Sequence, residues 1–231
     1  MALLSLTLDA EVLDHLGPEP DMAHQPDAAL ASHSCQFCGI RLGVWGFPTA
    51  VPVGAACPLC HLAQHLERPR IDEEALLIWL PEVSQPALNT LMREVHLVRL
   101  AVGDSLVHGD PPRPHKASPD SSASRAAAYH AGTAIAARAA TAAERLGTHL
   151  PSQLAATLQQ LSPAARPRLA PLLGGLRIMP LGCFYRDGKD VYPAIVATWR
   201  GMSRPGAAGG PAGPAPATTI PSAPSPPSPG A

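Results

Sequence analysis

Apolar positions keep two different periods along this chain. Leu4, Leu6 and Leu8 alternate with polar neighbours, the two-residue period of a half-buried strand, and Pro18, Pro20 and Pro26 then punctuate the chain. Leu59, Leu62, Ala63 and Leu66 repeat at helical spacing, which predicts a helix growing out of the pair Cys57 and Cys60, with Cys60 on its first turn, and stopping near Pro69. The run ALLIWL, Ala75 to Leu80, is of strand length and suited to burial on both faces. Ser84 then reads as an N-cap with Pro86 in the first turn. Leu88, Leu91, Met92, Val95, Val98, Arg99 and Val102 mark one face of a helix ending near Gly103.

Beyond Gly103 the pattern dissolves into GDSLVHGDPPRPHKASPDSSAS, whose polar, proline-broken chemistry is that of a linker over residues 103–124. A mostly helical region, 125–200, should follow. Ala126 to Leu146 is rich in alanine, with high helix propensity and few large side chains, and two shorter helices are expected over 150–161 and 169–176. Packing there should be light unless a partner covers it. From Gly201 onward nine prolines, six glycines and the single charge of Arg204 leave too little apolar surface to offset ordering entropy, so residues 201–231 should be a disordered tail.

Composition sharpens this picture in one respect. Only nine of 231 residues are Phe, Trp or Tyr, so the core must be small and aliphatic, and a structural metal would help it fold. Of these aromatics, Trp45, Phe47 and Trp79 are expected in the core. Net charge is −1 but unevenly spread: residues 1–34 hold six acids and no Lys or Arg, whereas residues 103–231 hold six acids and twelve bases. That is too dilute for a nucleic-acid footprint, which needs cations clustered on one face. MALLSLTL has no positive n-region and meets Asp9 early, and no window reaches the ~20 apolar residues that cross a bilayer. A cytosolic protein is expected, where paired cysteines serve as metal ligands or redox groups more often than as disulfides.

Four cysteines carry the chemistry. Cys35 and Cys38 form one C-x-x-C, Cys57 and Cys60 a second, and 18 residues lie between the pairs. This is the spacing of a tetrahedral four-thiolate zinc site; two redox dithiols or four unrelated buried thiols are the alternatives. Gly39 permits the tight turn after the first pair, and Pro58 pre-sets the backbone in the second. With four protein ligands the site would be closed to water and substrate, hence structural. His61 and His65 are expected on the surface or outside the ligand shell, and Cys183 as a small buried side chain. Arg41, Arg68 and Arg70 lie near the pairs, but Asp72, Glu73 and Glu74 follow at once, as on a solvated mixed-charge face.

The order C-x-x-C-G, loop, then C-x-x-C-H opening a helix resembles the HNH, or ββα-metal, nuclease fold with its accessory structural zinc. That resemblance implies an α+β, HNH-like zinc-bound core over residues 1–102, with a helical C-terminal extension. In HNH nucleases a loop His acts as general base, with an Asn and further ligands placing the catalytic ion. Here the loop GIRLGVWGFPTAVPVGAA contains no His, Asp, Glu or Asn. The resemblance therefore implies the fold without the reaction.

CQFCG, the second pair and ALLIWLPEVSQPALNTLMREVHLV are similar to the DotN (IcmJ) family of the Dot/Icm type IVB secretion system, and LRIMPLGCFYRDGKDVYPAIVATW resembles that family's C-terminal segment. The resemblance spans residues 35–102 closely and 140–200 loosely. It implies a non-catalytic adaptor with a structural zinc, docked on the C-terminal extension of the coupling-protein ATPase and on other coupling-complex subunits. Its place would be cytoplasmic, peripheral to the inner membrane, with no nucleic acid bound. The alternatives are an HNH endonuclease and a zinc-ribbon nucleic-acid binder.

Overall fold

A computed structural model of the chain describes residues 26–49, 54–113, 119–162, 168 and 173–202. The strand expected over residues 4–8 lies outside these residues, as do most of the helix expected over 169–176 and the tail beyond 202. The described chain mixes helices with small antiparallel sheets.

A hairpin opens the order: β1, Phe47–Thr49, pairs with β2, Gly54–Ala56, in the register Phe47↔Ala56 to Thr49↔Gly54. Helix α1, Pro58–Gln64, follows at once, with Cys57 as its extended N-cap and Pro58 in the first turn, where a missing N–H removes no helical bond. Every residue of α1 except Gln64 is buried. One further turn, α2 (Ile71–Glu74), runs directly into β3, Ala75–Trp79.

β3 pairs antiparallel with β4, Leu176–Pro180, from Ala75↔Pro180 to Trp79↔Leu176. A helix was expected to end at Leu176; instead Leu176 opens this strand, and all five of its residues are buried. On its other edge β3 is also covered: Leu77 N–H donates to His149 O at 2.9 Å and Trp79 N–H to Arg138 O at 3.2 Å. Covering both edges leaves no open row of donors that would template aggregation. Side chains alternate between the two faces. Ala75, Leu77, Leu176 and Ile178 enter one apolar cluster, while Ile78 and Met179 enter a second.

Helix α3, Gln85–Ala101, starts at the expected Ser84 cap, whose hydroxyl accepts from Ala87 N–H at 3.4 Å, and ends before Gly103 at φ +74°. Its buried face differs from the expected one. Leu88, Met92, Val95 and Arg99 are buried as expected, but Leu91 is exposed, and Gln85, Asn89 and His96 are buried beside them. The alanine-rich stretch forms two helices, α4 (Pro119–Ala136) and α5 (Ala139–Leu146), rather than one. Between them Arg138 turns its carbonyl to Trp79 of β3, so sheet pairing wins over helix propensity at that point. Helix α6, Pro151–Gln160, matches the expected helix over 150–161, and Asp72 accepts from Ser152 N–H at 2.9 Å in its first turn.

The chain closes with a two-residue hairpin, β5 (Tyr185–Arg186) and β6 (Lys189–Asp190), then helix α7, Tyr192–Met202. Asp187 and Gly188 take φ of 50° and 73°, the left-handed pair that a tight hairpin turn requires.

The regions expected as separate, 1–102 and 125–200, share one core among the described residues. The larger cluster joins Phe47, Leu59 and Leu62 to Leu154, Phe184, Tyr192 and Trp199. Part of the expected linker is also pinned. Asp104 accepts from Arg125 Nε at 2.6 Å and from Arg113 N–H at 2.8 Å. Gly182, at φ +88°, lies so close that a Cβ there would stand 1.9 Å from Leu106 O.

Nor is the mixed-charge stretch a solvated face throughout. Arg68 Nε and one terminal nitrogen donate to the two Glu74 carboxylate oxygens at 2.7 Å each, with both side chains buried. The guanidinium also reaches Tyr185 O at 2.9 Å and lies 4.2 Å from the centre of the Phe184 ring. Removing one partner of such a pair strands a buried charge, at about 3–5 kcal/mol. Within this stretch Arg70 and Glu73 pair at the surface.

Candidate metal centre

Two backbone devices bring the cysteines together. In the first pair, Cys35 N–H donates to Ile40 O at 2.7 Å and Gly39 N–H to Cys35 O at 2.9 Å, closing a knuckle that needs Gly39 at φ +74°. A side chain at that φ would be strained. The second pair uses the start of α1, where Cys57 caps the helix and Cys60 sits in its first turn. The knuckle is tied to the hairpin by Gln36, whose N–H donates to Ala55 O at 2.9 Å and whose Nε2 donates to Thr49 Oγ1 at 2.9 Å.

The result is that the four expected sulfurs, of Cys35, Cys38, Cys57 and Cys60, all lie within 4.8 Å of one another. Cys38 Sγ and Cys57 Sγ are 3.6 Å apart. A disulfide needs about 2.05 Å, whereas a tetrahedral ion with bonds of about 2.3 Å spaces its sulfurs about 3.8 Å apart. The geometry fits a metal site, and it is the one cluster of three or more ligand-type side chains found among the described residues. Cys35, Cys57 and Cys60 are buried, and Cys38 is half-buried.

Electrostatics point the same way. Hydrogen bonding from Cys38, then from Cys57 and Cys60, holds the Cys35 thiol far below its ordinary range. Burial drives the Cys57 thiol up. Packing four thiols in one pocket thus favours ionising some while opposing others, and a cation removes that conflict by accepting all four as thiolates.

Outside the sulfurs lies a polar chain that the hydrophobic pattern concealed. Asn89 Nδ2 donates to Cys60 Sγ at 3.3 Å, and Gln85 Nε2 donates to Asn89 Oδ1 at 2.9 Å and to Ile178 O at 2.7 Å. Ile178 N–H returns a bond to Gln85 Oε1 at 2.7 Å. The centre is thereby coupled to α3 and to β4, in the manner of groups that orient ligands from outside the coordination sphere. A signal existed in the sequence: Gln85, Asn89 and His96 interrupt an otherwise apolar helical stripe with amides and an imidazole.

His61 is fully buried and stacked on Phe47, ring centres 4.3 Å apart, which corrects the surface position considered for it. His65 is partly buried, its Nδ1 3.0 Å from Glu67 Oε1. Neither belongs to the sulfur cluster. Cys183 is buried as expected, away from the four, and burial pushes its thiol up to about 11. Phe47 is core. Trp45 and Trp79 are half-buried, Trp45 donating to Thr198 Oγ1 at 3.2 Å and Trp79 lying 3.8 Å beneath Arg145.

No family model matches this chain, and no curated protein matches it. No described helix is long and apolar enough to cross a membrane.

Proposed function

We propose that this chain is a non-catalytic adaptor subunit of a type IVB secretion or related conjugation coupling complex. It carries a structural zinc ion on Cys35, Cys38, Cys57 and Cys60. The observation that supports this reading best is the closed sulfur set: four protein ligands leave no coordination position for a reacting water. Two other features support it. The order β1, β2, α1, with the second cysteine pair opening α1, agrees with the ββα order that the HNH resemblance implies. His61, the imidazole nearest the second pair in sequence, is buried against Phe47 and Phe184 rather than open to a substrate.

On this reading the zinc centre, β3 and α3 form a rigid platform that docks on the cytosolic C-terminal extension of the coupling ATPase and helps to receive secretion substrates. The test is co-expression of the full chain with that extension, followed by size-exclusion chromatography and elemental analysis. Co-elution with one zinc per chain is expected. Zinc-loaded protein that elutes alone rejects the docking. Magnesium- or manganese-dependent DNA cleavage lost in His61→Ala would replace the adaptor with an endonuclease.

A further inference from the structure

The four cysteines of the centre are not equivalent. Cys35, Cys57 and Cys60 are 1% exposed or less, and Cys60 Sγ also accepts a bond from Asn89. Cys38 is half-buried, and it lines a surface cleft of about 310 Å³ that none of the other three reaches. Arg41, Thr90 and Arg93 stand in the same wall, the first two of them exposed, so solvent enters beside Cys38. Cysteines react where they are partly exposed in electropositive surroundings, and buried ones are inert. A bound ion does not quench that reactivity: four thiolates on a divalent metal keep a net charge of about −2, which leaves electron density on sulfur. Cys57 Sγ lies 3.6 Å from Cys38 Sγ.

We propose that Cys38 is an oxidation site through which a peroxide opens the centre, closing a Cys38–Cys57 disulfide and releasing the metal. The inference rests on the reading that these four residues hold a zinc ion. The Cys38 thiolate attacks one oxygen of hydrogen peroxide; the O–O bond breaks, hydroxide leaves, and the sulfur becomes a sulfenic acid. The Cys57 thiolate then attacks the Cys38 sulfur, the S–S bond forms, and the S–O bond breaks with loss of a second hydroxide. Two protons from solvent turn both hydroxides into water. Two thiolates thus lose two electrons, and one peroxide gains them. The sulfurs must close from 3.6 Å to about 2.05 Å, a movement that departure of the ion permits. Cys35 and Cys60 then remain as two ligands, too few for a tetrahedral site. The geometry that the metal imposes on the knuckle and α1 is lost with it, and a thiol reductant with zinc restores it.

Elemental analysis of the full chain, purified without oxygen, comes first. Protein without a metal fails the zinc reading and this inference with it; metal-loaded protein tests the inference alone. The metal-loaded chain is treated with one equivalent of hydrogen peroxide, release of zinc is followed with a chromogenic chelator, and the cysteines are mapped by differential alkylation and mass spectrometry. We expect one ion released per peroxide consumed, Cys38 oxidised at least about tenfold faster than Cys183 and ahead of Cys35 and Cys60, and a Cys38–Cys57 disulfide as the product. Cys183 is the internal control, since it is buried and its thiol is pushed up to about 11. Thr90→Phe, which adds bulk to the cleft wall on α3 and leaves all five cysteines in place, should slow release by about threefold or more at unchanged metal content. First oxidation at Cys35, Cys60 or Cys183, a disulfide joining any other pair, or metal retained after Cys38 is oxidised overturns the proposal. So does release at the wild-type rate in Thr90→Phe.

Discussion

The two apolar clusters on either side of the β3–β4 sheet are made of different materials. On the metal side, Phe47, Phe184, Tyr192 and Trp199 surround four cysteines, and buried polar groups bolt the packing in place: Asn89 on Cys60, Gln85 on β4, Arg68 on Glu74. On the other side Ile78, Leu88, Met92, Val95 and Met179 meet the alanine face of α4 through Ala128, with Ala131 and Ile135 packed against it. Nearly all the scarce aromatic residues thus gather where the ligands are. A buried Leu or Phe contributes about 1.5–3 kcal/mol and a methyl group less than about 1. The alanine side therefore holds by close approach of helices, and the metal side by coordination and directed bonds. The light packing expected of the alanine-rich stretch is met in part from within the chain, by α3.

The largest difference between the sides should appear when the metal is removed. Chelation, or Cys60→Ser, should take away binding free energy on the order of 10 kcal/mol that is also folding free energy. The near-ultraviolet circular dichroism of Trp199 and Tyr192 and the cooperative melting transition should both vanish. Survival of both in metal-free protein would show that apolar packing, not coordination, holds this side.

A smaller effect comes from acid. His96 is fully buried, its Nδ1 2.7 Å from Tyr192 Oη, with Arg99 and His108 as the other charged or titratable neighbours. Burial, then the Arg99 charge and His108, pushes its pKa down to about 3. The folded state therefore refuses a proton that the unfolded chain accepts below about 6.5. Stability due to this group is full above about pH 6.5 and falls by about 1.4 kcal/mol per pH unit on going down towards 3. Urea titrations of wild type and His96→Gln at pH 7 and pH 5 isolate it: the wild type should lose about 2 kcal/mol more than the variant. Parallel losses would mean that the thiolates alone govern acid sensitivity.

The smallest effect belongs to the alanine side. Ala128→Gly removes one buried methyl and raises backbone entropy in α4, for about 1 kcal/mol, and should leave metal content unchanged. A loss of metal in this variant would mean that the two sides are not separable, and that α4 supports the centre through α3.

Much of the candidate site was legible because its signals are local. The spacing of Cys35, Cys38, Cys57 and Cys60, the helix opening at the second cysteine pair, the strand at Ala75 and the capped helix after Ser84 all depend on neighbours within a few residues and start where the pattern placed them, although the first helix stops at Gln64 and not near Pro69. What was not legible depends on partners far away in sequence. Whether Arg68 and Glu74 face water or each other is settled by Phe184 and Tyr185, more than a hundred residues on. Asn89 reads as an interruption of an apolar stripe until Cys60 and Gln85 are seen beside it. The break between α4 and α5 follows from the need of β3 to cover an edge, and the identity of LRIMP as a strand follows from the presence of β3 to pair with. Backbone preference and ligand spacing act over one or two turns of chain. Burial of a charge, completion of a sheet and the sharing of one core are settled only when distant segments meet, because the energy of each lies in the partner and not in the residue.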